Sequence, residues 1–156
     1  MTGEIRVGLI SDTHGLLRPR ALDAMRGSDH IVHAGDIGDG AIIEALERIA
    51  PVTAIRGNND VAAWAATLRD DAIVTLGGTR IYVIHDVNAI AIDLLAQRID
   101  VVVAGHSHRP LVRERDGIVF VNPGSAGPRR FSLPISVGEL VLSASGVRAR
   151  LVTVDP

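Results

Sequence analysis

An α/β fold with two β-sheets and helices outside them is predicted by the order of elements along this 156-residue chain. Short apolar strands alternate with helical patterns through the first part of the sequence, which is typical of folds that contain parallel strands. The last part instead has turn signals between short apolar runs, which favours antiparallel hairpins. A chain of this length can bury one substantial core, so we expect a single domain over residues 1–156.

The helices of the first half are marked by their spacing and by their first residues. Pro19 suits the first turn of a helix that we expect to run to about Met25. An apolar stripe with helical spacing predicts a second helix over 41–49. Residues 61–67 are expected to form a short helix with Asp60 as its N-cap.

The second half is predicted to contain hairpins and one further helix, over 90–98. Gly77-Gly78 and Asp116-Gly117 each separate two short apolar runs, and both dipeptides are typical of hairpin turns. The strands of this half are predicted at 72–76, 79–84, 101–104, 111–115, 118–121, 135–142 and 147–154.

Five of the apolar strands are followed at once by Asp, Asn or His. Ligands of open α/β sheets bind beyond the carboxyl ends of the strands, so we expect these side chains to converge at one rim. Imidazole and carboxylate groups bind first-row transition metals, and seven nitrogen or oxygen donors suit two metal ions that share a carboxylate. The seven candidate ligands are Asp12, His14, Asp36, Asn58, His85, His106 and His108.

Each of these residues also has a plain structural interpretation when it is taken alone. The aspartates could cap helices, the Asn-rich motif could be a turn, and His85 could be a packed core histidine. The repetition at five strand ends favours the metal site. His33 either orients a ligand from behind or simply packs. The four arginines at motif edges are either phosphate clamps or solvated charges; they are Arg56, Arg109, Arg129 and Arg130.

The composition excludes several kinds of chemistry. There is no cysteine, so disulfides, thiolate metal sites and cysteine nucleophiles are absent. The basic residues are all arginine, which removes lysine Schiff bases and Walker-type phosphate loops. A net charge of −2 gives no indication of nucleic-acid binding. No signal peptide or membrane-spanning run is recognised, so a cytoplasmic protein without membrane association is expected.

The motifs in order resemble those of the calcineurin-like metallophosphoesterase superfamily. The resemblance lies in Asp12-Thr13-His14, Gly35-Asp36, Gly57-Asn58-Asn59-Asp60, His85 and Gly105-His106-Ser107-His108. The short chain and the late Asn122-Pro123-Gly124-Ser125 resemble the small YfcE-like phosphodiesterase branch of that superfamily. The resemblance implies an α/β fold of the four-layer α/β/β/α sandwich type, with two β-sheets flanked by helices.

The resemblance also implies a metal centre and a reaction. It assigns Asp12, His14 and His108 to one ion and Asn58, His85 and His106 to the other, with Asp36 as the bridge. Two divalent transition-metal ions are expected, Mn first, with Ni, Fe, Zn or Co as alternatives. Attack by a metal-bound hydroxide would hydrolyse a small phosphodiester or another phosphate-containing substrate, monoesters included. The residues assigned to catalysis are Asn58, Asn59, Asp60 and His85.

Two positions depart from the pattern of the family. Many members have a histidine at the position of Asn59, and that histidine is thought to protonate the leaving group. The family usually has glycine at the position of Asp86, so this carboxylate either lies beside the metals or redirects the loop.

The alternative function is a non-catalytic protein-interaction scaffold, because one eukaryotic relative of this fold is a subunit of a membrane-trafficking coat. Retention of all seven ligands favours catalysis. Either a monomer or a homo-oligomer is compatible with the sequence.

Overall fold

Two five-stranded mixed β-sheets form the centre of the computed structural model, which describes residues 3–154. In chain order its elements are β1 (Ile5–Ile10), α1 (Pro19–Met25), β2 (His30–His33), α2 (Gly40–Glu47), β3 (Val52–Ala54), β4 (Asp71–Leu76), β5 (Thr79–Ile84), β6 (Val101–Val103), β7 (Leu111–Arg115), β8 (Ile118–Asn122), β9 (Ser136–Ser143) and β10 (Gly146–Thr153).

The strand order places two sets of parallel strands opposite each other. The first sheet has the order β10-β9-β1-β2-β3, in which β1, β2 and β3 are parallel. The second has the order β4-β5-β6-β8-β7, in which β5, β6 and β8 are parallel. Parallel strands end at the same edge of their sheet, so the loops after β1, β2, β3, β5 and β6 meet at one end of the molecule.

The main core lies between the two sheets. Val7, Leu9 and Val32 of the first sheet pack against Ile81 and Val101 of the second, and all are fully buried. These side chains are aliphatic and mostly β-branched, which suits strands that are covered on both faces. The hydrophobic contact between the sheets therefore fixes the distance between the two sets of loops.

The outer face of the first sheet is covered by α1 and α2. Met25 of α1 and Leu46 of α2 pack with Ile10 and Ile31 of the sheet. The predicted start of α1 at Pro19 is confirmed. The helix predicted over 41–49 runs from Gly40 to Glu47, and the Asp39 carboxylate accepts a hydrogen bond from the Ala41 amide as its N-cap.

The outer face of the second sheet is covered by turns, so the prediction of a helix over 90–98 is wrong. The Asp93 carboxylate accepts a hydrogen bond from the Ala96 amide, and Arg98 adopts a left-handed conformation with φ of 55°. These local bonds replace a continuing helix. The apolar periodicity instead serves to pack Ile90, Ile92 and Leu94 on the sheet.

The short helix predicted over 61–67 is reduced to a 3₁₀ turn at Ala63–Ala65, and Asp60 does not cap it. The Asp60 carboxylate is occupied elsewhere, by backbone amides of the loops after β2 and β3. Both predicted hairpin turns are confirmed: Gly77 and Gly78 have φ of 55° and 83°, and Asp116 and Gly117 have φ of 55° and 77°. Positive φ at both central residues gives the twist that favours two-residue hairpins.

Across residues 3–154, every helix is too short or too polar to cross a lipid bilayer.

Candidate metal centre

The loops that follow β1, β2, β5 and β6 bring carboxylate and imidazole groups into one cluster. Two overlapping groups have ligand atoms that all lie within 4.8 Å of one another. The first contains Asp12, His14 and His108, and the second contains Asp12, Asp36 and His85. Asp12 belongs to both groups, which gives the two halves of the cluster a shared carboxylate.

Five of the predicted ligands have left-handed backbone conformations, although none is glycine. Such conformations cost of the order of 1 kcal/mol for a non-glycine residue, and they persist where the surroundings hold them. Here backbone hydrogen bonds join the loops, from the Asp12 amide to Gly35 O and from the His14 amide to Asp36 O. The five φ angles are 55° at Asp12, 46° at His14, 53° at Asp36, 72° at His106 and 62° at His108.

Three glycines allow the loops to approach each other closely. A Cβ atom at Gly57 would overlap the carboxylate and amide of Asp36, and one at Gly105 would overlap Ser11 Oγ. A Cβ at Gly35 would lie 2.8 Å from His85 Nδ1. The glycines of the motifs are therefore needed for the position of the neighbouring ligands.

Asp12 is fully buried, and only one of its two oxygens is satisfied. Its Oδ2 accepts hydrogen bonds from Ser11 Oγ at 2.7 Å and from the His106 amide at 3.1 Å. Its Oδ1 lies 3.4 Å from His108 Nε2 and 3.7 Å from His14 Nε2. Burial raises the pKa of Asp12, but the nearby His108 and His14 imidazoles and the hydrogen bond from Ser11 outweigh burial and lower the pKa overall.

Asp36 is held by a single neighbour, Asn59. The Asn59 backbone amide donates to Oδ1 at 2.9 Å, and its side-chain Nδ2 donates to Oδ2 at 3.1 Å. Oδ2 also lies 3.1 Å from His85 Nε2 and 3.7 Å from His14 Nε2. Burial raises the pKa of Asp36, but the hydrogen bonds with His85 and Asn59 lower it overall. The Asp36 carboxylate is therefore anionic, and it faces the imidazoles of His85 and His14.

The tautomer of His85 points a lone pair at these carboxylates. Its Nδ1 lies 2.8 Å from Ala34 O and must donate to it, so Nε2 of the neutral ring carries no proton. Nε2 lies 3.1 Å from Asp36 Oδ2 and 3.8 Å from Asp12 Oδ1. A lone pair that faces two anionic oxygens is unfavourable unless a proton or a metal cation lies between them.

The pKa values of His85 and His14 are raised by the same carboxylates, which attract positive charge. Burial lowers the pKa of His85, but the adjacent Asp36 carboxylate raises it overall. The nearby Asp12 carboxylate raises the pKa of His14. Among the described residues, Asp12 Oδ1, His14 Nε2, His85 Nε2 and His108 Nδ1 are buried atoms without a hydrogen-bond partner. This donor set fits divalent metal ions, which need deprotonated nitrogen and oxygen ligands.

His106 and Asn58 lie on the more exposed side of the cluster. The ring of His106 is edge-on to that of His85 with centroids 5.2 Å apart, and its side chain is 47% exposed. Asn58 is exposed and lines a pocket together with His85, His106 and Asp86. These two predicted ligands therefore face the same pocket as His85.

Asp86, at a position where the family usually has glycine, caps a turn and also lies near a predicted ligand. Its Oδ1 accepts a hydrogen bond from the Asn88 amide at 2.9 Å and caps the 3₁₀ turn at Val87–Ala89. Its Oδ2 lies 3.8 Å from His106 Nε2. The backbone of Asp86 is extended, with φ of −121°, so the position does not require glycine.

Asp60, which was predicted to take part in catalysis, holds backbone amides of two loops. It is 1% exposed, and its carboxylate accepts hydrogen bonds from the amides of Ile37, Gly38 and Gly57 at 2.9–3.0 Å. Three backbone donors stabilise a buried carboxylate and tie two loops together. Asp60 thereby fixes the two segments that carry Asp36 and Asn58.

His33 links the same loops from behind, as the first of its two interpretations proposed. The Gly35 amide donates to Nδ1 at 3.1 Å, so Nε2 carries the proton and donates to Thr13 Oγ1 at 3.1 Å. Thr13 in turn donates to Ile37 O at 2.7 Å. Burial lowers the pKa of His33 to about 4, so the ring is neutral. The supporting roles of Thr13 and Ser11 were missed, although both residues flank Asp12 in the motif.

The edge arginines divide between structural and free positions. Arg56 forms an ion pair with Asp70 at 2.9 Å, and Arg129 donates to Leu133 O at 3.2 Å. Arg130 lies close enough to His14 for its charge to act against the rise in the pKa of that imidazole. Arg130 and Arg109 stay candidates for the predicted phosphate clamps.

Comparison with known proteins finds the same family along most of the chain. The model of the calcineurin-like phosphoesterase superfamily domain matches residues 5–144. A probable metallophosphoesterase of Methanothermobacter thermautotrophicus is 34% identical over 140 residues, which cover 82% of this chain and 81% of that protein. A phosphodiesterase of Methanocaldococcus jannaschii is 24% identical over 138 residues, with 77% and 83% coverage.

The fold is also shared with a solved structure of low sequence identity. Vacuolar Protein Sorting 29 from Cryptosporidium parvum superposes with a TM-score of 0.78 and 18% identity, covering 98% of this chain and 99% of that one. The two-sheet architecture predicted from the sequence is thereby confirmed, with turns in place of helices over the second sheet.

Proposed function

Given that the chain belongs to the calcineurin-like phosphoesterase superfamily, we propose that it is a phosphodiesterase that depends on two divalent metal ions. The observation that carries this proposal is that Asp12 Oδ1, His14 Nε2 and His85 Nε2 are buried, lack hydrogen-bond partners and lie together around Asp12 and Asp36. A folded protein rarely leaves several such atoms unsatisfied, and metal ligation would account for these three together.

The residues that would hold the ions are assigned from the family pattern. Asp12, His14 and His108, which form one of the two observed groups, would hold one ion. Asn58, His85 and His106 would hold the other, with Asp36 between the two ions; of this set the second observed group contains His85 and Asp36, together with Asp12. When bound, the ions would polarise the phosphate group and make a water molecule more acidic. Because four of the ligands are imidazoles, Mn, Ni, Fe, Zn or Co is expected in preference to Mg, with Mn first.

The chain's own residues provide the order that such a site needs. Asn59 fixes both oxygens of Asp36, and Ser11 fixes one oxygen of Asp12. Ala34 O fixes the ring of His85 so that Nε2 faces the carboxylates. Partners of this kind hold ligands in their orientation, and their loss typically weakens metal binding or activity about 10- to 100-fold.

Phosphodiesters are the proposed substrates, with monoesters as a second class. The relative from Methanocaldococcus jannaschii is named a phosphodiesterase. Arg130 beside His14 supplies a positive charge at the edge of the site, which would attract a phosphate anion.

A non-catalytic scaffold is the second candidate function. It is favoured by the likeness to Vacuolar Protein Sorting 29, which extends over 98% of the chain. The phosphodiesterase is preferred because the phosphoesterase domain model matches residues 5–144 and the relatives at 34% and 24% identity are named for phosphoester chemistry.

The test is hydrolysis of bis(p-nitrophenyl) phosphate by protein loaded separately with Mn, Ni, Zn, Fe or Mg, with metal content measured by elemental analysis. We expect two ions per chain and the highest rates with a transition metal. Asp36→Asn should lower turnover at least about 100-fold and reduce the metal content, because the bridging charge is lost. Asp23→Asn, an exposed substitution on α1, is the matched control and should leave both unchanged.

The two candidate functions give different results in this test. Two bound ions with no hydrolysis of any phosphoester would favour the scaffold. Near-normal turnover by Asp36→Asn would contradict the assignment of Asp36.

A further inference from the structure

A groove runs along the outer face of the second sheet and ends at the metal centre. Its floor consists of apolar side chains from neighbouring strands, and one wall consists of alternate residues of β7. Leu111, Arg113 and Arg115 line it, as expected for residues on one face of a strand. The floor residues include Val102, Ile118 and Phe120.

The groove exists because the outer layer covers only part of this sheet. The segment that contains Ile90 and Leu94 packs over the strands β5, β6 and β8. The edge strand β7 lies beyond this cover, and Leu111 is 45% exposed. Leu95 on the opposite wall is 63% exposed. Apolar groups therefore remain open to solvent on both sides of the groove.

The groove is continuous with the metal centre. Asp86 and His106 line both the groove and the pocket that contains Asn58 and His85. Asn122 anchors the junction, because its Nδ2 donates to Gly105 O at 2.9 Å and to Ser107 Oγ at 3.1 Å. A molecule bound through a phosphate at the metal centre could therefore extend directly into the groove.

The charges along the groove are balanced. Arg109, Arg113 and Arg115 stand against Asp86, Asp93 and Asp116, and Arg115 lies 4.0 Å from Asp116. Equal numbers of the two signs do not favour a second anion. They provide hydrogen-bond donors and acceptors at the rim of an apolar floor, which suits a flat ring with polar edges.

We infer that the groove binds the ester substituent that stays on the phosphate after the leaving group departs, and that this substituent carries an aromatic or heteroaromatic ring. The inference rests on the proposed phosphodiesterase function. The ring would lie on the floor near Phe120, and the Arg113 guanidinium would stack on it or bond to its edge. Arg113 lies two residues along the strand from Leu111, so the ring site extends about 7 Å from the end next to the metal centre.

The first test compares two substrates with the same leaving group. Methyl p-nitrophenyl phosphate and phenyl p-nitrophenyl phosphate both release p-nitrophenolate, and they differ in the substituent that remains. We expect the phenyl ester to have a KM about tenfold lower, because its ring can stack in the groove and the methyl group cannot. Equal KM values would contradict the inference, while hydrolysis of both esters would leave the proposed function intact.

Variants on opposite faces of β7 localise the effect. Leu111→Asn and Arg113→Ala should each raise the KM for the phenyl ester about fivefold and leave the methyl ester unchanged. Val112→Asn introduces the same side chain at the adjacent position, which does not line the groove, and should change neither KM. An equal effect of the two Asn substitutions would mean that the groove does not bind the ring.

A binding measurement separates the groove from catalysis. Saturation-transfer NMR with adenosine and metal-free protein should show contact of the ring with the protein, weakened by Leu111→Asn and not by Val112→Asn. If no phosphodiester were hydrolysed but this pattern held, the groove would stand as an aromatic site and the proposed function would fail. Absence of ring contact in the wild type would overturn the inference.

Discussion

Replacement of His33 tests whether a neutral buried imidazole holds the loops of the metal centre together. The ring accepts from the Gly35 amide, donates to Thr13 and is fully buried. Burial lowers its pKa from 6.5 to about 4. We expect His33→Gln to change the pH dependence of folding as well as its magnitude.

The sign follows from the two protonation states. The pKa of the imidazole is lower in the folded protein than in the unfolded chain, so protons bind the unfolded chain more strongly. Its contribution to stability is complete above about pH 6.5 and is lost as the pH falls toward 4. Between about pH 7.5 and pH 5 the wild type should lose about 2 kcal/mol through this residue. His33→Gln does not titrate and should not lose it.

The measurement is denaturant unfolding of metal-free wild type and His33→Gln at several pH values. The difference in unfolding free energy between the two proteins should shrink by about 2 kcal/mol over that range. His30→Gln on the same strand is the control; burial also lowers the pKa of His30, but its ring is only partly buried, so a smaller change of the same sign is expected. A difference that stayed constant with pH would refute the reasoning.

Three further predictions concern the centre itself. Gly57→Ala should reduce metal affinity and destabilise the fold by about 1–3 kcal/mol, because its Cβ overlaps the Asp36 carboxylate. Titration with Mn and thermal unfolding would measure both effects. The control Gly40→Ala, whose Cβ meets Trp64 at 3.4 Å, should leave metal affinity and stability unchanged. General acid catalysis typically accelerates a reaction about 10²–10⁴-fold, and the Asn59 amide cannot supply the proton it requires, so the wild-type rate should depend steeply on leaving-group pKa. Asn59→His should flatten that dependence. A wild-type rate independent of leaving-group pKa, with chemistry rate-limiting, would contradict the prediction. Arg130→Ala should raise the KM for phosphodiesters about three- to tenfold through loss of a phosphate contact, with Arg20→Ala on α1 as the matched control; an unchanged KM would remove Arg130 from the site.

The fold could be predicted where local signals and long-range packing agree. Gly77-Gly78 gave a hairpin because both residues need positive φ, and Pro19 gave the start of α1. The turns over 90–98 could not be distinguished from a helix in the sequence, because the apolar spacing there suits both a helix and turns that pack on a sheet. In the structure Asp93 caps the start of a single turn, and the left-handed backbone of Arg98 ends that turn before a helix can continue.

The candidate site could be predicted as a set of strand-end residues, but not as a network. The sequence drew attention to Asn59 only because an amide cannot replace the proton-donating histidine of the family. In the structure its backbone and side-chain amides hold the carboxylate of Asp36. Asp60 resembled a helix cap, whereas its oxygens bind amides from a loop more than 20 residues away. Neither partner is near in sequence, so no spacing rule could identify them.

The positive φ angles explain why the motifs combine aspartate with glycine. Asp12 and Asp36 lie in the left-handed region, which aspartate tolerates better than most residues because its short polar side chain can bond locally. That conformation turns the chain at the strand end and directs each carboxylate toward the facing sheet. The turned backbone leaves no room for a neighbouring Cβ, which is why Gly57 lies against Asp36 and Gly105 against Ser11 and Asp12. Local strain, close glycines and unpartnered ligand atoms are therefore consequences of one requirement, which is to bring carboxylates from the first sheet and imidazoles from the second to one point. Each of them costs stability, and a bound cation offsets that cost.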